Sequence, residues 1–249
     1  MANSQKIEEL RGGLIVSCQA PSGSPLDEPQ VIAAMAEAAA GAGASGIRVN
    51  GARKIETCRN RIRLPIIGIE KLVTEGSEVY ITPGFESARR LSQADVIAID
   101  ATQRKRPGGE QLGDLIKRIQ GELGLPVMAD IATYEEALKA AELGADIVAT
   151  TLCGYTSETR GDRLPALELV SKLAAKVEIP VICEGGVGSP EELRMALESG
   201  AFAVVVGTAI TGITELTARF AAAAGVRCEL SGTAAGVERH RGPGFHQQV

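Results

Sequence analysis

The sequence predicts an α/β fold, a single closed (β/α)8 (TIM) barrel, and three observations carry that prediction. Short apolar runs of β character alternate with Ala-rich helical stretches over almost all of the 249 residues. A strand-opening motif recurs: Leu64-Pro65-Ile66-Ile67, Leu125-Pro126-Val127-Met128 and Ile179-Pro180-Val181-Ile182 open the third, fifth and seventh runs, and Gly-Ala-Asp and Gly-Ala-Phe, from Gly144 and Gly200, open the sixth and eighth. The composition is 45% hydrophobic with no Trp, so the core is built mainly from Ala, Val, Ile and Leu, as parallel strands buried on both faces require.

In chain order the runs are Gly13–Gln19, Gly46–Asn50, Ile66–Lys71, Val96–Thr102, Val127–Ile131, Ile147–Leu152, Val181–Glu184 and Ala203–Gly207. Between them the pattern predicts helices over Pro29–Ala42, Tyr134–Leu143, Pro165–Ala175 and Pro190–Ser199, the last opened by Ser189-Pro190. An open doubly wound sheet is the alternative. It would usually carry an early dinucleotide loop, and no G-x-G-x-x-G follows the first run. Residues 1–224 are read as the barrel and 225–249, rich in Gly, Arg and His without apolar periodicity, as a disordered tail.

The net charge of −5 gives no general attraction to nucleic acid or anionic membranes. No signal core or apolar run of membrane-spanning length occurs, so a cytoplasmic location is expected. Five cysteines without CxxC spacing suit reduced thiols, and Cys153 and Cys183 read as buried small apolar groups. No metal-ligand cluster is visible. The basic run Arg53, Lys54, Arg59, Arg61, Arg63 reads as a solvated helix face. No apolar surface helix stands out from which to read an oligomeric state, and a homo-oligomer stays open. The only histidines, His240 and His246, lie in the tail, which argues against Ser-His and Cys-His nucleophile schemes.

Active sites of such barrels lie at the C-terminal ends of the strands. The polar residues closing the runs are Gln19, Arg48, Asn50, Lys71, Asp100, Thr102, Asp130, Thr150 and Thr151, then Tyr155, and Glu184. Asp130 is four residues after Pro126, Glu184 four after Pro180 and Lys71 six after Pro65. All three offsets are even, so equivalent prolines would turn the three side chains inward together. A Lys facing a carboxylate can move a proton beside a carbonyl, or the Lys can form a Schiff base; a plain salt bridge at the strand ends is the competing explanation. Gly185-Gly186 and Gly207-Thr208, after the last two strands, stand where these barrels bind phosphate.

The ordered motifs GLIVSCQA, GIRVNG, LPIIGIEK, SEVYITP, DATQRKRP, MADIAT, TTLCGYT, ICEGG and VVVGTAIT, between about Gly12 and Ala224, resemble the N-acetylmannosamine-6-phosphate 2-epimerases of bacterial sialic acid catabolism. The resemblance implies a barrel of the ribulose-phosphate-binding type that converts N-acetylmannosamine 6-phosphate to N-acetylglucosamine 6-phosphate without a redox cofactor. It puts the catalytic pair on Lys71 and Glu184 and substrate contacts on Gln19, Arg48 and Asp130, with Thr151 and Tyr155 in the same motif set. Lys71 would exchange the C2 proton, and Glu184 would assist ring opening or proton delivery. Three departures stand out. Gly212-Ile213 replaces an Arg-Pro pair that supplies a phosphate-contacting arginine, Glu70 replaces an apolar residue and is expected to face the helices, and Gly186 replaces a longer residue.

Overall fold

The computed structural model describes residues 2–226. The eight predicted runs are its eight strands: β1 (Leu14–Cys18), β2 (Gly46–Asn50), β3 (Ile66–Ile69), β4 (Val96–Asp100), β5 (Val127–Asp130), β6 (Ile147–Ala149), β7 (Val181–Glu184) and β8 (Ala203–Val206). Each pairs in parallel with the next, and β8 returns to β1 with Leu14 opposite Val204, closing the barrel. Ten α-helices are described: α1 (Ala2–Glu8), α2 (Pro29–Gly41), α3 (Ala52–Arg59), α4 (Phe85–Arg90), α5 (Leu112–Arg118), α6 (Tyr134–Glu142), α7 (Leu167–Ala174), α8 (Pro190–Glu198), α9 (Thr208–Thr211) and α10 (Ile213–Ala223). The proposed tail from 227 onward, with His240 and His246, lies outside the described residues.

Alternation along the strands divides the apolar residues into two cores. Ile15, Ile67, Ile69, Ala98, Met128, Ile147, Ile182 and Val205 fill the barrel, with Leu10 and the partly buried Ile7 among them. Val16, Ile47, Val49, Ile97, Ile99, Val127, Val148 and Val204 point outward against the helices. The split therefore tells which strand residues reach the mouth from inside: those two positions past an interior side chain.

Local chemistry explains the helix starts near the site. Ser189 accepts a hydrogen bond from Glu192 N–H at 3.2 Å and Pro190 occupies the first turn of α8. Thr133 and Glu136 form a capping box at α6. Cys153 and Cys183 are buried, and burial pushes their thiols up to about 11 and about 12, as expected of apolar fillers.

Two surface expectations need correction. The basic run is only in part a solvated face: Lys54 pairs with Asp27 at 2.5 Å, Arg59 with Asp95 and Arg61 with Glu37, so three of its cations tie α3 and its exit to neighbouring segments. An apolar surface helix does exist. α10 has no buried residue and leaves Ile213 and Phe220 exposed, a pattern hidden in the sequence because Thr214, Glu215, Thr217 and Arg219 interrupt the apolar positions between them. Glu70, by contrast, pairs with Arg90 of α4, as its outward parity implied.

Candidate active site

The site is assembled from the polar residues that follow the interior apolar ones. Arg48 on β2 is 1% exposed and makes a two-pronged ion pair with Asp130 on β5, Nη1 to Oδ1 at 3.1 Å and Nη2 to Oδ2 at 2.6 Å. Arg48 Nη1 also donates to Glu184 Oε2 on β7 at 2.7 Å. Thr151 Oγ1 donates to Asp130 Oδ1 at 2.6 Å. One guanidinium thus binds two carboxylates from strands that are not neighbours, which fixes their mutual placement at the mouth.

Burial opposes the Arg48 charge, but Asp130 and then Glu184 outweigh it and leave its pKa raised. Glu184 goes the other way from a simple ion pair. Its pKa is raised to about 7, first by desolvation, against the pull of Arg48 and with repulsion from Asp130. The two directions are compatible because Asp130 already holds Arg48 with two hydrogen bonds, so the second carboxylate is the weaker partner. Glu184 is therefore a group that can carry or release a proton near neutrality.

Lys71 lies two residues past Ile69, on the isolated antiparallel bridge to Ile81 that follows β3 rather than within the strand. Its N–H donates to Asn50 Oδ1 at 2.9 Å, which sets the backbone. Solvent reaches its side chain through the open mouth, yet protein surrounds it closely enough that desolvation lowers its pKa, with Arg48 adding repulsion and Glu184 and Asp130 opposing. No ion pair engages its ammonium group among the described residues, so the competing salt-bridge explanation fails for Lys71. β3 and β7 are four strands apart in the ring of eight, so Lys71 and Glu184 face each other across the mouth.

Gln19 follows β1 and donates from Nε2 to Ser17 Oγ at 2.7 Å, while its Oε1 is buried without a partner, as is Arg48 Nε. Buried polar atoms are normally satisfied, so both point to a ligand group or water. Thr150 Oγ1 bridges to the Glu184 backbone at 2.9 and 3.0 Å and holds β7 rather than facing the mouth. Tyr155 is 60% exposed at the rim, with its ring edge against Gly185.

The glycine turns stand side by side because Glu184 and Val205 are register partners on β7 and β8. Gly185 (φ 104°) and Gly186 (φ 73°) adopt the left-handed region, and a Cβ at Gly186 would lie 2.3 Å from Leu164 Cβ. Close packing on Leu164 is thus why a longer residue is absent there. The N–H groups of Gly185, Gly186, Gly207 and Thr208 meet no backbone acceptor among the described residues. Thr211 Oγ1 donates to Ser17 O at 2.8 Å and ties α9 to β1. A separate cleft of about 600 Å³ lies outside this mouth, along the β4–α5 connection and α6, and includes neither Lys71 nor Glu184.

Residues 32–226 match the family described as "Putative N-acetylmannosamine-6-phosphate epimerase". The chain belongs to this family. Relatives named "Putative N-acetylmannosamine-6-phosphate 2-epimerase" include one from Synechococcus elongatus, 49% identical over 217 residues, covering 86% of this chain and 94% of the relative. Another, from Thermosynechococcus vestitus, is 48% identical over 225 residues, covering 90% and 98%. The solved N-acetylmannosamine-6-phosphate 2-epimerase of Clostridium perfringens superposes with a TM-score of 0.84 at 43% identity, over 87% of this chain and 95% of that one. A thiamine phosphate pyrophosphorylase from Pyrococcus furiosus, at 18% identity and TM-score 0.56, shares the fold alone. Two residues beside the candidate site do not close a strand run: Ser17, which accepts the Gln19 hydrogen bond, and Tyr80, which packs on the interior apolar cluster. Ser17 is a plain strand residue in sequence, and Tyr80 enters only because the segment after Lys71 doubles back.

Proposed function

We propose that this epimerase-family barrel inverts C2 of an N-acylhexosamine 6-phosphate, interconverting N-acetylmannosamine 6-phosphate and N-acetylglucosamine 6-phosphate. Membership in the family supports the reaction, and one observation carries the chemistry: Lys71 and Glu184 oppose each other across the mouth with pKa values drawn toward one another. In the open-chain sugar the C2 proton is α to the C1 aldehyde. Neutral Lys71 takes that proton, and the electron pair of the C–H bond moves into an enediolate-like system with negative charge on O1. Protonated Glu184 gives its proton to C2 from the other side, the aldehyde re-forms, and the pair ends as ammonium and carboxylate. The return reaction starts from that state, so no cofactor is consumed.

Arg48, held at a fixed height by Asp130, supplies positive charge near the oxygen that becomes negative, and Gln19 and Thr151 orient the sugar. The glycine N–H groups after β7 and β8 cradle the phosphate, with the rim Tyr155 beside them. They take the place of the phosphate-contacting arginine that the resemblance leads one to expect at Gly212.

The test is turnover in D2O. The product gains one deuterium at C2, and Lys71→Ala loses at least about a thousandfold of activity. Glu184→Gln stops epimerisation while Lys71 still exchanges the C2 hydrogen of one epimer. Product without deuterium at C2 would sink the proton-transfer mechanism. Equal loss of exchange and epimerisation in Glu184→Gln would move Glu184 to the ring-opening step.

A further inference from the structure

Lys71 and Glu184 leave the barrel by the same device on β3 and β7, four strands apart in the ring. Beside β3, Gly51 N–H donates to Ile69 O at 2.8 Å and extends the ladder from β2. The next bond of a parallel ladder would run from Lys71 N–H to the Gly51 carbonyl. That carbonyl instead accepts from Ile55 N–H at 3.1 Å as α3 begins, and the Asn50 side chain takes its place, Oδ1 accepting from Lys71 N–H at 2.9 Å. Beside β7, Thr150 N–H donates to Ile182 O at 3.2 Å, and the next bond would run from Glu184 N–H to the Thr150 carbonyl. This carbonyl accepts from Cys153 N–H at 3.1 Å, and the Thr150 hydroxyl substitutes for it, accepting from Glu184 N–H at 3.0 Å and donating to Glu184 O at 2.9 Å.

Both substitutions occur where the chain departs from its strand. Glu70 N–H donates to Thr82 Oγ1 at 3.1 Å and Leu72 N–H to Tyr80 O at 2.9 Å, so the residues on either side of Lys71 are bonded into the segment that doubles back. Lys71 N–H, between them, is turned toward Asn50 and β2. Thr150 is fully buried, and Glu184 is followed at once by Gly185 (φ 104°), where the chain swings away from β7. A backbone carbonyl could hold these N–H groups only by keeping the two chains parallel. A side chain meets them while the chains part.

We propose that Asn50 and Thr150 are positioning residues for the proton-transferring pair, each holding the backbone of one partner so that the Lys71 amine and the Glu184 carboxyl stay opposed across the mouth. Both act through another residue and take no proton themselves. Proton transfer needs its partners within hydrogen-bond reach of C2, and a displacement of about 1 Å can cost about a hundredfold in rate. The two positions differ in sensitivity. Glu184 has a second hold, because Arg48 Nη1 donates to its carboxylate at 2.7 Å. The Lys71 ammonium group has no ion pair among the described residues, so its placement depends on the backbone that Asn50 fixes.

The inference rests on the epimerase reading, and the test separates the two. Wild type, Asn50→Ala, Thr150→Val and Thr150→Ser would be compared on both epimers of N-acetylhexosamine 6-phosphate in D2O, with epimerisation and C2 exchange followed by NMR. Asn50 is half-buried, so its truncation leaves the core intact. Asn50→Ala is expected to lower kcat roughly ten- to hundredfold at nearly unchanged KM, slowing epimerisation and the Lys71-dependent C2 exchange together. Thr150→Val should lower epimerisation by a smaller factor and spare that exchange, and Thr150→Ser, which keeps the hydroxyl, should restore it. Wild-type kcat in Asn50→Ala and Thr150→Val, a loss confined to KM, or a Thr150→Ser enzyme no better than Thr150→Val would overturn the assignment. If wild type neither epimerises nor exchanges, the epimerase reading fails, and NMR titration of Lys71 decides the positioning by itself. The Lys71 pKa then rises toward 10.5 in Asn50→Ala if Asn50 holds the side chain in its desolvated place, and an unchanged pKa would overturn that role.

Discussion

Glu184 shows how a side chain acquires chemistry from its neighbours. As an isolated glutamate it would be ionised at neutral pH; within the barrel, desolvation and Asp130 bring its pKa to about 7 although Arg48 is 2.7 Å away. Burial likewise lowers Lys71 from its usual value of 10.5. In the proposed mechanism forward and reverse catalysis both need one proton on the Lys71–Glu184 pair, so the pair is best described by its two macroscopic titrations. Below the lower one the pair holds two protons and has no base; above the upper one it holds none and has no acid. The expected kcat/KM profile rises with pH to a break near 7, stays level, and falls above a second break below 10.5. In Glu184→Gln, the break near 7 disappears from the residual C2-exchange profile. A break near 7 that survives the substitution would assign it to another group.

At the scale of elements, the β8–α9–α10 connection carries half of the proposed phosphate cradle. A Cβ at Gly212 would lie 2.7 Å from both Cγ2 and O of Thr208, so the turn between α9 and α10 closes only because residue 212 is glycine. Placing an arginine there alone, as Gly212→Arg, should therefore distort the turn before the guanidinium helps. The expected outcome is a loss of about 1–3 kcal/mol in stability, read as a lower urea midpoint, with no gain in phosphate affinity. Tighter binding of inorganic phosphate at unchanged stability would show that the turn accommodates the side chain. Element positions were largely legible in the sequence, because β-branched runs and prolines at strand entrances mark β3, β5 and β7. The end of β3 was not. Lys71 left the strand for a bridge to Ile81, a pairing between segments ten residues apart that no local pattern announces.

For the whole molecule, Arg48 joins β2, β5 and β7, three strands spread around the ring, so the proposed chemistry and the stability share one residue. Removing a buried cation leaves its carboxylates uncompensated. Arg48→Leu is expected to cost about 3–5 kcal/mol, measurable by urea unfolding, as well as activity. A loss under about 1 kcal/mol would mean that Asp130 and Glu184 find other partners or take up protons at little cost.

Taken by itself, the sequence determined the barrel, the order of its strands and the inward parity of Asp130 and Glu184. These follow from periodicity, which is local and set by the alternation of side chains along a strand. Its motifs also determined the family. Only the tertiary structure decided which charges meet: that Arg48 is shared by two carboxylates, that Lys71 stays unpaired, and that Arg104 pairs with Asp100. It also decided that Gly212 closes a turn and that α10 exposes an apolar face. The reason is physical. Pairing, desolvation and close approach depend on distances between residues remote in the chain, and those distances exist only once the ring has closed.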